Sequence, residues 1–132
     1  VRAPTFLPLT ADVAARAGAR AVLLEAAETD EAANACWSSL LAGCEAASRW
    51  GLDKHLRRLS EVTSVQVGTT WWFREGSAYR RRVAHAQGCI EDAITESDGQ
   101  EFAQAFMGYD HAVASALVCA GERRPGKHRA RL

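Results

Sequence analysis

Small and apolar residues return at spacings of three and four along most of the chain. Ala14, Ala17, Ala21 and Leu24 trace the face of a first helix, which Thr10 is placed to cap and Asp12 to favour electrostatically in its first turn. Residues 1–9, with Pro4 and Pro8, predict an extended lead-in. Thr29-Asp30-Glu31 offers a second helix start, with Trp37, Leu40, Leu41, Cys44 and Ala47 as its apolar stripe and Gly51 as its left-handed stop. A third helix from Asp53 sets Leu52, Leu56, Leu59 and Val62 against Lys54, Arg57, Arg58 and Glu61. The β-branched run over 62–67 sets a short extended segment in competition with helix, and the reading favoured is helix giving way to a connector near Gly68.

The second half of the chain is patterned more sharply. Ser77 caps a predicted fourth helix whose Tyr79, Val83, Ala86, Ile90 and Ala93 form a narrow seam, leaving Arg80, Arg81, Arg82, Glu91 and Asp92 off it. Asp98 and Glu101 make a capping-box arrangement for a fifth helix, closed by Gly121 and followed by Pro125. Phe102, Phe106, Tyr109, Val113, Ala116, Leu117 and Ala120 fill one face of it, and Ala103, Met107, Ala114 and Val118 a second. A helix apolar over more than half its circumference either runs through the middle of a bundle or covers a core on one side and a subunit on the other. The fold expected is all-α: a compact bundle of four to five mostly antiparallel helices, with the fifth helix, about 99–120, central or at a subunit interface. One domain over 1–121 and a basic, mobile tail over 122–132 complete the organisation.

Composition removes several function classes. Sixteen basic residues balance sixteen acidic ones, so no global field draws the chain to nucleic acid or an anionic membrane. Only Lys54 and Lys127 are lysines, and the arginine and alanine bias suggests a bacterial, high-GC source. Cysteines 36, 44, 89 and 119 have no zinc-like spacing, and Cys36 and Cys44, eight residues apart on one expected helix, are too far apart to bond. Buried thiols in a soluble, cytoplasmic protein fit better, and no apolar run has the length of a signal peptide or a membrane span. Glu-x-x-His, G-x-S-x-G, Walker and H-E-x-x-H patterns are all missing. No catalytic residue, metal or cofactor is therefore assigned, although an enzyme built from a spatial constellation leaves no linear trace.

Two features carry candidate binding chemistry. In "GTTWWFREGSAYRRRVAH", Trp71, Trp72, Arg74, Tyr79, Arg80, Arg81 and Arg82 interleave rings and cations, as a single-strand nucleic-acid platform would. The cheaper reading is an aromatic plug at a helix junction beside a solvated arginine face, because three consecutive helical residues diverge by ~100° steps. Asp110 lies between the two apolar faces of the fifth helix and His111 at its polar margin. A buried aspartate needs a partner, for which Arg20, Arg49 and Arg80 to Arg82 are the candidates. The function expected is a non-enzymatic protein-interaction module, an adaptor or regulatory subunit, that associates with itself and with another protein through the second face of the fifth helix. A nucleic-acid regulator using the arginine cluster and basic tail is the alternative, followed by a small-ligand protein or enzyme around Asp110 and His111.

Overall fold

Gly18 and Gly43, rather than the polar clusters, punctuate the first third of the chain. The computed structural model describes residues 4–43 and 48–122, with 48–50 as backbone alone. Among these the fold is all-α, with helices α1 Pro8–Ala17, α2 Arg20–Ala42, α3 Ser48–Val67, α4 Thr69–Phe73, α5 Ser77–Thr95 and α6 Gly99–Glu122, and no strand. None of them is long and apolar enough to cross a membrane.

The first two helices are divided differently from the sequence expectation. The break falls at Gly18, which takes the left-handed conformation (φ 68°) while the Ala19 amide donates to Ala14 O and the Gly18 amide to Ala15 O. From there α2 runs through Thr29-Asp30-Glu31 without interruption. Those residues do not cap because they are engaged elsewhere: Thr29 Oγ1 donates to His55 O on α3, and the Asp30 carboxylate holds the lead-in. Gly43 (φ 73°) ends α2, whereas Gly51, expected as its stop, lies inside α3. Cys44 and Ala47 fall outside the described residues, so the Cys36–Cys44 spacing on one helix does too.

Residues 62–67 are helical, and Gly68 (φ 97°) opens the connector near the expected place. Tertiary packing overrides β-branching there: Leu56, Leu59 and Thr63 are fully buried, and Thr63 Oγ1 donates back to Leu59 O. The one-turn α4 has no signal in the periodicity. Ser77 begins α5 instead of capping it, with Gly76 in the cap position and no side-chain cap bond. The α5 seam of Val83, Ala86, Ile90 and Ala93 is buried, Tyr79 half-buried.

At α6 the Glu101 amide donates to Asp98 Oδ1 at 3.0 Å, as the capping box requires. The reciprocal bond is replaced, since the Asp98 amide goes to Ala93 O. All seven residues of the first α6 face are buried. The second face is mixed: Ala114 is buried and Ala103 half-buried, but Met107 and Val118 are exposed. The helix packs most extensively on α5 and also on α1, α3 and α2. Phe6 of the lead-in inserts among Trp37, Phe102 and Phe106, with ring centroids 5.2–5.8 Å apart, so this segment belongs to the core.

Candidate functional site

Residues 5–10 enter the fold through their backbone amides. Asp30 accepts from Thr5 N (3.0 Å), Phe6 N (2.6 Å) and Leu7 N (3.0 Å), and Asp110 accepts from Leu9 N (3.0 Å) and Thr10 N (2.8 Å). Pro8, the one residue between these groups, has no N–H to satisfy. Its fixed φ suits the first helical position, where it stands, so it begins α1 rather than ending the lead-in. The free amides at the start of α1 are therefore all accounted for, by carboxylates on α2 and α6 and not by a local cap. Thr10, the expected N-cap, lies inside α1 and gives its hydroxyl to Asp110 O at 3.2 Å.

These bonds correct the partners expected for Asp110. Its side chain is buried, 3% exposed, and satisfied by backbone amides rather than by arginine. Arg20 and Arg80 to Arg82 form no ion pair among the described residues, and the Arg49 side chain lies outside them. Burial raises the Asp110 carboxyl above its ordinary value; the Thr10 and Leu9 bonds oppose that rise, and the Asp30 charge adds to it. A carboxylate occupied in this way by two amides is a tertiary helix cap.

Two clefts meet at the exposed His111. One, of about 430 Å³, lies between the lead-in, α1 and α6 and is lined by Phe6, Trp37, Phe106, Met107 and His111, with Leu9 at its edge. The other, of about 470 Å³, lies between α5 and α6 and sets Arg81, Arg82, His85 and His111 around a floor of Ala86, Gly108 and Ala112. Among the described residues, no acidic one lines this second cleft. The fold thus brings Arg81, Arg82 and His111, which sequence reasoning kept apart, to one place and adds His85. The i,i+3 and i,i+4 spacings of Gly108, His111 and Ala112 were available in the sequence, but the pairing of α5 with α6 was needed to join them to the arginines.

The aromatic part of the GTTWWFREGSAYRRRVAH stretch is engaged internally. Trp72 is 3% exposed, and Trp71 stacks on Tyr79 with centroids 6.0 Å apart and planes at 19°. The Trp71 ring lies so close over Gly76 that a Cβ there would fall 2.4 Å from it, so any other residue at this position displaces the ring or the turn. Arg80 lies over Phe73 and Arg82 over Tyr79, at 5.0 and 5.4 Å from the ring centroids. Arg74, Arg81 and Arg82 are exposed, and Arg80 is half-buried with no acceptor for Nε. The basic tail residues 123–132 lie outside the described region.

A third cluster escaped sequence reasoning. Glu25 and Glu28, one turn apart on α2, face His55 of α3, whose Nδ1 lies 2.8 Å from Glu25 Oε2 and 3.9 Å from Glu28 Oε1. The three could hold a metal ion, their ligating atoms all lying within 4.8 Å of one another. Glu-x-x-Glu is visible in the sequence, whereas the histidine that completes it comes from another helix thirty residues away. No protein-family model, no curated protein and no solved structure matches this chain, so its chemistry is argued from these residues alone.

Proposed function

We propose that the protein is a non-enzymatic helical interaction module that associates with a second copy of itself, with the paired clefts at His111 as one half of the contact. The supporting observation is a complementary face on the same chain. Leu24, Glu28 and Glu31 occupy one side of α2 at i, i+4 and i+7, all exposed, Leu24 by 65%. That face offers an apolar anchor with two carboxylates. The clefts offer the reverse: Met107, 71% exposed, and Leu9 beside an aromatic-lined hollow, next to a cleft lined by Arg81 and Arg82 with no acidic residue among its described lining. A neutral chain that segregates its charges this way has its opposite patches drawn together. An all-α scaffold of six helices, with α6 packed on α5, α1, α3 and α2 rather than standing in the expected set of four to five, suits the role, because a rigid scaffold presents both patches without ordering cost.

The nucleic-acid reading is less favoured because a base-stacking platform needs free ring faces, and Trp71 stacks on Tyr79 with Arg82 over the same ring, while Arg80 covers one side of the exposed Phe73. The deciding experiment is light scattering across a dilution series. Wild type is expected to associate, Arg81→Glu with Arg82→Glu to weaken association by about tenfold or more, and Glu28→Arg with Glu31→Arg to do likewise. Mixing the two variants restores it if the patches meet. A wild type that stays monomeric at tens of micromolar, or a mixture without recovery, refutes this pairing.

A further inference from the structure

We propose that Glu25, Glu28 and His55 form a binding site for a divalent first-row transition metal such as Zn²⁺. The argument begins with the helix pair. Glu25 and Glu28 stand on adjacent turns of α2, so their carboxylates reach the same side, and α3 brings His55 opposite them. The register is held by Thr29 Oγ1 donating to the His55 carbonyl at 3.3 Å and by Tyr109 Oη donating to the Leu56 carbonyl at 2.8 Å. The ligands therefore come from packed helices with hydrogen bonds beside them, which is what a preorganised site requires.

The donor set and spacing point to the metal class. Ligating atoms around a tetrahedral ion with bonds of about 2.0 Å stand ~3.3 Å apart. Nδ1 of His55 lies 2.8 and 3.9 Å from the two carboxylates, on either side of that value. Small rotations of the glutamates suffice to close on an ion. One imidazole with two carboxylates favours zinc and its neighbours over magnesium or calcium, which take oxygen alone. The Glu25 side chain is only 12% exposed and pairs with no lysine or arginine among the described residues. Its charge lies near the buried Tyr109, whose hydroxyl it helps to push upward after burial itself. A poorly solvated carboxylate of this kind gains from a bound cation. Glu28, 60% exposed, leaves the outer side open, so three protein ligands would leave a position for water or a partner's ligand.

The test is titration of the full chain with Co²⁺ and Zn²⁺ under reducing conditions, followed by absorption and calorimetry. One equivalent is expected, with visible d–d bands and no near-ultraviolet sulfur-to-cobalt band. Glu25→Gln and His55→Ala should each weaken binding by at least about tenfold. Glu28→Gln, a surface change that does not endanger folding, should weaken it several-fold, with helicity checked by circular dichroism throughout. Wild-type Zn²⁺ binding should also raise the thermal midpoint, an increase the Glu28→Gln variant should reduce. The proposal is overturned if binding is not saturable or if these three substitutions leave it unchanged. It is equally overturned by a sulfur band that Cys89→Ser removes, which would place the ion at the His85–Cys89 pair, where Nε2 and Sγ are 3.6 Å apart.

Discussion

Replacing Asp110 by asparagine separates its role as a cap from its role as a charge. The side chain keeps its shape and one acceptor oxygen, but the second position becomes an NH₂ that faces a backbone N–H. One of the two amides, Leu9 N or Thr10 N, then loses its acceptor. Thr10 is fully buried, and a buried donor without a partner costs about 1–3 kcal/mol. Relief of the burial penalty on the carboxylate offsets part of this, because that penalty is the largest cause of the raised Asp110 pKa. The net expectation is a loss of about 1–3 kcal/mol in urea unfolding, with an unchanged m-value. The pH dependence has a definite sign. With its folded pKa above the ordinary 3.8, the native state holds more protons than the unfolded state between the two values. The slope of unfolding free energy with pH is then negative, and the contribution of Asp110 is fully present below 3.8 and declines as pH rises through the folded value. The advantage of wild type over Asp110→Asn should therefore narrow across that window. A stability change within about 0.5 kcal/mol would refute the cap. An advantage that widens with pH would mean that the amide bonds outweigh burial.

The aromatic plug gives two further expectations. Trp72→Ala should cost about 3–5 kcal/mol by calorimetry, whereas Arg81→Ala should stay within about 0.5 kcal/mol; equal effects would dissolve the distinction between plug and surface. Gly76→Ala should destabilise by about 1–3 kcal/mol and change the Trp71 fluorescence, because the added carbon displaces that ring or the turn beneath it. Asn at position 30 in place of Asp should detach the lead-in, seen as faster hydrogen exchange at Thr5, Phe6 and Leu7 with little change in α5 or α6. Unchanged protection there would place the stability of the lead-in in the Phe6 ring alone.

The helical class was legible because the chain writes its core at periods of three and four. The α6 faces illustrate how far this goes: the first is buried at every expected position, and the Asp98–Glu101 signal marks a real cap. Boundaries were less legible where a polar residue that resembles a cap is used over long range. Thr10, Thr29 and Asp30 each have the composition of a helix start, and each spends its side chain on a distant element. Gly18 and Gly43 were the better guides, because the left-handed conformation is a local demand that few other residues satisfy.

The same distinction separates what sequence revealed of the candidate sites from what it concealed. Periodicity placed Asp110 at the edge of an apolar face, and from burial alone it followed that the carboxylate needs a partner. It could not supply the partner, since backbone amides carry no sequence identity: Asp110 holds the amides of Leu9 and Thr10, and the Leu9 side chain advertises no donor while the Thr10 hydroxyl goes to the Asp110 carbonyl. The Glu25, Glu28 and His55 cluster was hidden for a related reason, as the two glutamates stand one turn apart on α2 while the histidine stands on α3. Only the packing of α2 on α3 brings His55 to the glutamates. Capping by Asp30 couples these regions, because the α2 that carries Glu25 and Glu28 also anchors the lead-in whose Thr5 and Phe6 border the cleft at His111. Locking α2 to α3 with a metal ion would thereby stiffen the scaffold that presents both association patches, and the two proposals meet at Glu28, so that only Glu31→Arg alone, which leaves the three ligands intact, separates them.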